Sequence, residues 1–107
     1  MPAKIAVNEQ KVTVSLSGEI DHHNIIGIRE EIDNTVRRAE AAELELSFAD
    51  VEFMDSSGIG LVLGRYRLMQ DMGGKLTISN LPSHLKKVMR VAGIDNLGLT
   101  NDGGDRT

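Results

Sequence analysis

Apolar and polar side chains alternate in four short segments of the chain, a period of two that is typical of β-strands with one buried face. The apolar positions of these segments are Ala3, Ile5 and Val7, then Val12, Val14 and Leu16, then Leu44, Leu46 and Phe48, and finally Leu76 and Ile78. Asn8 and Glu9 leave only a short connection between the first two segments, which predicts an antiparallel hairpin. Gly18 is predicted to end the second strand.

Three other segments repeat apolar residues at steps of three and four, the spacing of an amphipathic helix. Their apolar stripes are Ile25, Ile28, Ile32 and Val36, then Ile59, Val62, Leu63, Tyr66 and Met69, and then Leu85, Val88, Met89 and Ala92. The second helix is predicted over residues 57–72, because Gly73 and Gly74 stop it. Pro82 suits the first turn of the third helix, Gly93 ends that helix, and residues 97–100 are predicted to add a short strand.

The order of these elements predicts the fold class. Strand-helix-strand units form parallel, right-handed crossovers, whereas the first hairpin is antiparallel. Parallel strands that are covered on both faces are continuously apolar, but every strand here alternates with polar residues. We therefore expect a single α/β domain with a mixed sheet of four to five strands and helices mainly on one face. Residues 1–100 are predicted to form this domain, and residues 101–107 are predicted to be a flexible polar tail.

Composition narrows the functional classes. The chain has 107 residues, a net charge of −4 and only 3% aromatic residues, which argues against direct nucleic-acid binding through a basic surface or stacked rings. It contains no cysteine, which excludes disulfides and thiolate metal sites. No apolar run approaches the length of a membrane span and no secretory leader begins the chain, so a cytoplasmic location without membrane contact is expected.

The segment from Asp55 to Gly60 lies between the third strand and the second long helix. Aspartate or serine at such a position can cap the helix by accepting hydrogen bonds from its free N–H groups. A helix start also tolerates an added phosphate, because it carries partial positive charge and open donors. The loop is predicted to be short and held by its apolar neighbours Phe53 and Met54. Two interpretations stay open on this pattern alone: a plain helix cap, or a serine hydroxyl displayed for modification.

Other chemistry receives weaker support from the sequence. The spacing of Gly58, Gly60 and Gly64 differs from a nucleotide-binding loop, and Gly60 and Gly64 are better explained by close packing on the sheet or on a partner. Serine hydrolysis could use Ser56 or Ser57 with one of two adjacent histidines, but the nucleophile-elbow motif is absent. No metal site is expected, because adjacent histidines on an extended loop should point apart. The candidates considered for these roles are His22, His23 and His84.

A basic run on the last predicted helix also has two interpretations. Lys86, Lys87 and Arg90 fall close together there. Such a run is usually a solvated helix face. It could equally contact an acidic partner surface.

Two segments carry a resemblance to a known family. Residues 18–23, Gly-Glu-Ile-Asp-His-His, and residues 53–66, which contain Asp-Ser-Ser-Gly-Ile-Gly, closely resemble the anti-sigma factor antagonists of the STAS domain family. The likeness extends from the first hairpin to Gly93 and Ile94, and it is greatest to the sporulation type that acts on anti-sigma F factors. The fourth strand, the last helix and the tail are less similar.

The resemblance implies a binding module without catalytic residues or cofactor. The unphosphorylated protein would bind an anti-sigma factor that is also a serine kinase and thereby release the sigma factor. The kinase would phosphorylate Ser56, and a serine phosphatase would reset it. Residues implied at the partner contact are Asp21, His22, Asp55, Ser57, Gly58, Ile59 and Val88. The alternative is a scaffold, or a general stress-response antagonist, of the same fold in another circuit.

The physics of a phosphate group is compatible with this implication. Phosphorylation adds about −1.5 to −2 charge. The helix start can hold that charge, so the fold should survive. The interface should not, because like charges in a partly dried contact cost several kcal/mol.

Overall fold

The computed structural model describes residues 2–99, which form a four-stranded mixed β-sheet. The strands are β1 (Ala3–Asn8), β2 (Lys11–Ile20), β3 (Glu43–Met54) and β4 (Lys75–Ser79), and they lie in that order across the sheet. β1 pairs with β2 in the antiparallel sense, whereas β2 with β3 and β3 with β4 are parallel. The predicted hairpin followed by parallel strands is therefore confirmed.

Helices join the parallel strands. Within residues 2–99 they are α1 (Ile25–Ala39), α2 (Ser56–Asp71) and α3 (Ser83–Val91), followed by a 3₁₀ helix over Ile94–Leu97. α1 connects β2 to β3, and α2 connects β3 to β4, as parallel pairing requires.

The short strand predicted over residues 97–100 is wrong for the part that the structure describes. Gly93 and Gly98 adopt positive φ angles of 84° and 67°, and the chain between them turns into the 3₁₀ helix. Leu99 then lies beside β4, where its carbonyl accepts a hydrogen bond from the backbone N–H of Ile78 (2.7 Å). The sheet therefore has four strands within the described range.

One face of the sheet carries the core, which is built from alternate strand residues. The central strands supply Val12, Val14, Leu16, Leu44, Leu46 and Phe48, all buried. α1 covers this face with the predicted stripe, of which Ile28, Ile32 and Val36 are buried. Burial of a side chain of this size stabilises the fold by about 1.5–3 kcal/mol. The period of two in β2, β3 and β4 and the stripe of α1 are thus confirmed, whereas in β1 only Ala3 is buried and Val7 is 52% exposed.

The opposite face of the central strands is polar. Lys11 Nζ lies 3.0 Å from a carboxylate oxygen of Glu45, and the Ser79 hydroxyl donates to the other oxygen (2.6 Å). The Ser79 hydroxyl and Lys11 hold the pKa of Glu45 below its usual range. These polar pairs satisfy the side chains without a covering helix, which agrees with the prediction that the helices lie mainly on the other face.

β2 is longer than predicted, because Gly18 does not end it. The strand runs to Ile20 through two register shifts, between Ser15 and Ser17 and between Gly18 and Glu19. Gly18 takes a positive φ of 70°, which a bulge can accommodate without ending the pairing. β3 is extended to the same level, and Ile20 pairs with Met54. The loops that follow these two residues therefore begin side by side.

The buried face of α2 differs from the predicted stripe. Gly58, Leu61, Val62, Arg65 and Met69 are buried, so only two of the predicted residues were placed correctly. Leu63 is exposed, and Ile59 and Tyr66 are half-buried. The pattern was misleading because a glycine and an arginine occupy positions on the inner face.

α3 follows its predicted stripe only in part. Leu85 and Met89 are buried, whereas Val88 is 41% exposed and Ala92 is also exposed. Pro82 stands at the N-cap position before the helix rather than inside its first turn, and Ala92 is the C-cap.

Two further expectations concern the C-terminal tail and membrane-spanning helices. Residues 101–107, predicted to be a flexible tail, lie outside the described residues, so the boundary at residue 100 stays a prediction. In the described part of the chain, no helix has the length and apolar character needed to cross a membrane.

Candidate functional site: two loops joined by Asp55

The ends of β2 and β3 bring two loops together. The backbone N–H of Asp55 donates to the carbonyl of Ile20 (3.1 Å), which continues the pairing of the strands. One carboxylate oxygen of Asp55 accepts from the backbone N–H of Ser57 (2.8 Å), and the other accepts from that of His22 (3.2 Å). Asp55 therefore caps α2 and fixes the β2–α1 loop against it.

Asp55 is favoured in its ionised form. Its pKa is lowered chiefly by the backbone N–H of Ser57, with further contributions from the Ser57 side chain and from His22, although partial desolvation opposes them. Hydrogen-bond donors stabilise a carboxylate more than a carboxylic acid, which explains the direction. The start of α2 thus already carries a negative charge.

Ser56 is the first residue of α2, and its side chain is exposed. Ser57 is half-buried and Gly58 is buried, so the chain passes from solvent to core within three residues. The Gly58 N–H donates to the carbonyl of Asp55 (2.9 Å), which closes the first turn. The hydroxyl of Ser56 is accessible to a second protein on a backbone that is held in place.

Gly58 allows the turn to approach β3 closely. A Cβ at this position would collide with the Cγ and Sδ atoms of Met54, a buried residue. At Gly60 and Gly64, by contrast, a Cβ would meet no atom within 4 Å. The expectation that Gly60 and Gly64 pack on the sheet is wrong, and contact with a partner stays a prediction for them. Phe53 does not help to hold the loop either, because it is 52% exposed.

Asp21 organises the other loop. Its carboxylate accepts from the backbone N–H groups of His23 (3.0 Å) and Asn24 (3.3 Å). The Asn24 side chain in turn accepts a hydrogen bond from the Asp21 N–H (3.0 Å) and donates one to the Glu19 carbonyl (2.8 Å). Asn24 was not singled out in the sequence, although aspartate and asparagine are both residues that favour turns by bonding nearby backbone groups.

His22 and His23 do not point apart as expected. Their rings lie 4.0 Å apart between centroids with an interplanar angle of 36°, because the loop turns instead of staying extended. His22 Nδ1 is 3.5 Å from an Asp55 carboxylate oxygen, and neither histidine hydrogen-bonds to Ser56 or Ser57 within the described residues. No group of three or more His, Asp or Glu side chains in residues 2–99 is placed to hold a metal ion. The geometry thus offers no support for a serine hydrolase or a metal centre.

The structure brings most of the predicted contact residues together. Hydrogen bonds and chain adjacency join Asp21, His22, Asp55, Ser56, Ser57 and Gly58. Ile59 follows on α2, while Val88 lies on a separate helix, α3. Sequence reasoning missed the exposed apolar side chain of Ile26 (55%), in the first turn of α1 just after the histidine loop. The helical period was the signal that could have identified Ile26, because it falls outside the predicted stripe of α1.

A mixed sheet whose parallel strands end in two hydrogen-bonded loops, with a serine at the start of the following helix, characterises a domain family. The STAS domain model matches residues 3–102, and the chain belongs to the STAS domain family. The predicted family and fold class are therefore confirmed.

Within that family, the similar proteins are regulators of anti-sigma factors. An anti-sigma F factor antagonist of Paenibacillus polymyxa is 35% identical over 81 residues, 76% of this chain and 69% of that protein. An anti-sigma-B factor antagonist of Bacillus subtilis is 32% identical over 91 residues, 84% of this chain and 81% of that protein.

Solved structures extend the likeness to three dimensions. The unphosphorylated form of the anti-sigma factor antagonist SpoIIAA has a TM-score of 0.84 to this chain at 31% identity, over 94% of this chain and 86% of SpoIIAA. The phosphorylated form of SpoIIAA, described as a Bacillus cell fate determinant, has a TM-score of 0.77 at 31% identity, over 94% and 89% of the two chains.

Proposed function

We propose that this chain is an anti-sigma factor antagonist that is switched by phosphorylation of Ser56. In its unphosphorylated form it binds an anti-sigma factor that is also a serine kinase, and the sigma factor is released. The kinase then transfers phosphate to the Ser56 hydroxyl, the two proteins separate, and a serine phosphatase restores the first form. The chain acts as a binding module, with no catalytic residue or cofactor of its own.

The observation that carries this proposal is the exposed Ser56 at a helix start where two backbone donors, expected from the sequence to be open, are already engaged. The Ser57 N–H is bonded to the carboxylate of Asp55, and the Gly58 N–H is bonded to the Asp55 carbonyl. A phosphate on Ser56 would find these two donors occupied. Its charge would therefore remain at the surface beside Asp55, where a bound partner meets it, instead of being neutralised within the domain.

The consequences for binding and for folding are different. About two additional negative charges would lie next to a carboxylate whose pKa is already lowered. In a partly desolvated interface such repulsion costs several kcal/mol, enough to separate the partners. The fold is spared because the Ser56 side chain is exposed. Both forms of SpoIIAA share the fold of this chain, which supports a switch of charge rather than of architecture.

The surface around Ser56 has the character of a protein contact. Asp21 and His22 border it from the neighbouring loop, and Ile59 continues it along α2. Val88, on the separate helix α3, is also exposed and apolar, and its place at the kinase contact rests on the resemblance alone. We assign these residues, with Asp55, Ser57 and Gly58, to the surface that meets the kinase.

The same mechanism also fits a second regulatory circuit, in which the partner is a different anti-sigma factor. The similar proteins include antagonists of both anti-sigma F and anti-sigma-B factors, at 35% and 32% identity. The alternative function is therefore a general stress-response antagonist in place of a sporulation antagonist. Affinity purification of the chain from its native cells, followed by identification of the bound kinase, distinguishes the two circuits.

The test of the mechanism combines binding and phosphorylation. The chain is incubated with the co-purified kinase and ATP, and the modified residue is located by mass spectrometry. We expect phosphate on Ser56 in the wild type and in a Ser57→Ala control, and none in Ser56→Ala. Ser56→Ala should still bind the kinase, whereas Ser56→Asp should bind at least about tenfold more weakly.

Three results would contradict the proposal. Phosphate on Ser57 would overturn the assignment of the acceptor. Wild-type affinity in Ser56→Asp would overturn the charge switch. Serine-dependent hydrolysis of an activated ester by the wild type would show an enzyme in place of a binding module.

A further inference from the structure

α1 and α2 pack side by side and leave an open groove between them. The groove has a volume of about 310 Å³ and is bordered by Ile25 and Arg29 on α1 and by Gly60, Gly64 and Arg65 on α2. Ser57 lies at its end. The groove therefore begins at the residue next to Ser56 and follows α2 away from it.

Gly60 and Gly64 keep this groove open. They lie one helical turn apart on α2, and a Cβ at either position would meet no atom within 4 Å. Each glycine weakens a helix by about 1 kcal/mol relative to alanine. Neither a positive φ nor close internal packing accounts for them. The space above them is available for side chains from another molecule.

The charge of the groove is positive, although the whole chain carries −4. Arg65 is 7% exposed and its guanidinium is committed to Asp33, with Nε 2.9 Å from one carboxylate oxygen. Burial lowers the pKa of Arg65, Asp33 opposes this, and Arg29 and Arg37 lower it further. The described lining of the groove contains Arg29 and Arg65 but no acidic residue, so with Arg65 paired to Asp33 the charge of Arg29 is in excess. Arg29 is exposed and forms no ion pair within residues 2–99.

We propose that the α1–α2 groove is a second docking point for the anti-sigma factor kinase, and that it receives an acidic side chain of that kinase. The carboxylate pairs with Arg29, and the residues beside it pack over Gly60 and Gly64. An acidic side chain is the occupant that fits, because an unpaired guanidinium at the edge of a partner contact is best satisfied by a carboxylate.

This inference rests on the proposed function and adds a determinant of partner choice to it. The groove is continuous with the surface around Ser56 through Ser57. Phosphorylation changes the charge at one end of this combined surface, while the groove is left unaltered. The opposite charges of Arg29 and the acidic side chain would raise the association rate of the two proteins. Kinases that lack the acidic side chain would bind less well.

Two matched pairs of variants test the groove. Arg29→Glu reverses its charge, and Arg38→Glu makes the same change on the exposed opposite side of α1. Gly64→Leu fills the groove two turns from Ser56, and Gly27→Leu adds the same side chain at an open position of α1 outside it. Affinity for the co-purified kinase is measured by calorimetry at low and high salt, and the Ser56 phosphorylation rate is measured in parallel.

We expect about tenfold weaker binding for Arg29→Glu and for Gly64→Leu, with both controls within about twofold of the wild type. The loss in Arg29→Glu should shrink at high salt, whereas the steric loss in Gly64→Leu should not. All four variants should retain wild-type circular dichroism, because each change is made at an open position. The Ser56 phosphorylation rate at limiting kinase should fall in proportion to affinity.

The groove and the proposed function can fail separately. Wild-type affinity in both groove variants, with Ser56 still phosphorylated, overturns the groove and leaves the switch intact. Equal losses in Arg29→Glu and Arg38→Glu would also overturn it, because they would show a general charge effect. A wild-type chain that neither binds the kinase nor is phosphorylated overturns both.

Discussion

The two halves of α2 are held in the molecule by different interactions. Its first turn is positioned by hydrogen bonds to Asp55, while Ser56 stays exposed. Its second half is held by burial, with Met69 1% exposed and Arg65 paired to Asp33 of α1. The first turn can therefore accept a new charge with little effect on stability, whereas the second half depends on every group that packs there. This separation lets one helix act both as a core element and as a switch.

Among changes that remove a native interaction, the largest effect is expected at the Arg65–Asp33 pair in the second half of α2. Asp33→Ala should lower the free energy of unfolding by about 3 kcal/mol, because it leaves the charge of Arg65 buried without its partner. The double variant Asp33→Leu/Arg65→Met removes both charges and should recover most of that loss. Urea denaturation measures both. If Asp33→Ala lowers the free energy of unfolding by less than about 0.5 kcal/mol, the Arg65–Asp33 pair contributes no more than an ordinary surface pair. The second half of α2 would then not differ from the first turn in the way described.

The close packing of the first turn of α2 against β3 can be tested with one substitution at two nearby glycines. Gly58→Ala should destabilise the fold by about 1–3 kcal/mol, because its Cβ collides with the buried Met54 side chain. Gly60→Ala adds the same methyl group to open space and should stabilise α2 by up to about 1 kcal/mol. Thermal denaturation of the two variants should give shifts of opposite sign. Shifts of the same sign would contradict the close approach assigned to Gly58.

A smaller effect with a defined pH dependence is expected at Asp55. Its folded-state pKa lies below the ordinary value of 3.8, so the ionised group stabilises the fold above that value. This contribution is lost as the pH falls through the lowered pKa of the folded state. Asp55→Asn keeps a capping side chain but removes the charge. It should be less stable than the wild type at neutral pH.

Denaturation of the wild type and of Asp55→Asn across the acid range measures this contribution. The difference in unfolding free energy between them should shrink steadily once the pH falls below 3.8. A difference that stays constant down to the acid limit would show that the charge of Asp55 does not stabilise the first turn.

The smallest stability change is expected at Ser56. Ser56→Asp should alter the free energy of unfolding by no more than about 0.5 kcal/mol, because the side chain is exposed. Aspartate at a buried position of the same helix, in the control Leu61→Asp, should unfold the domain, since Leu61 is 2% exposed. Circular dichroism of both variants measures the contrast. Unfolding of Ser56→Asp would show that the first turn is as intolerant of charge as the rest of the helix.

The local pattern of apolar and polar residues was enough to predict the strands, the sheet and α1. Alternation in Val12, Val14 and Leu16 follows directly from the geometry of a half-buried strand, and the helical stripe of α1 reflects burial on one side. The position of the serine loop at the start of α2 was likewise readable, because strand alternation gives way to a capping residue at Asp55. These features depend on neighbours in the chain, which is why periodicity captures them.

Contacts between distant residues were decided by the folded molecule. The bulges that carry β2 past Gly18 depend on pairing with β3, and they place His22 against Asp55, 33 residues away. The inner face of α2 could not be identified by hydropathy, because Arg65 is buried through its pairing with Asp33 across 32 residues. Hydrophobic periodicity records how a segment meets solvent or core. It contains no information about which loop, charge or helix a residue will contact after the chain has closed.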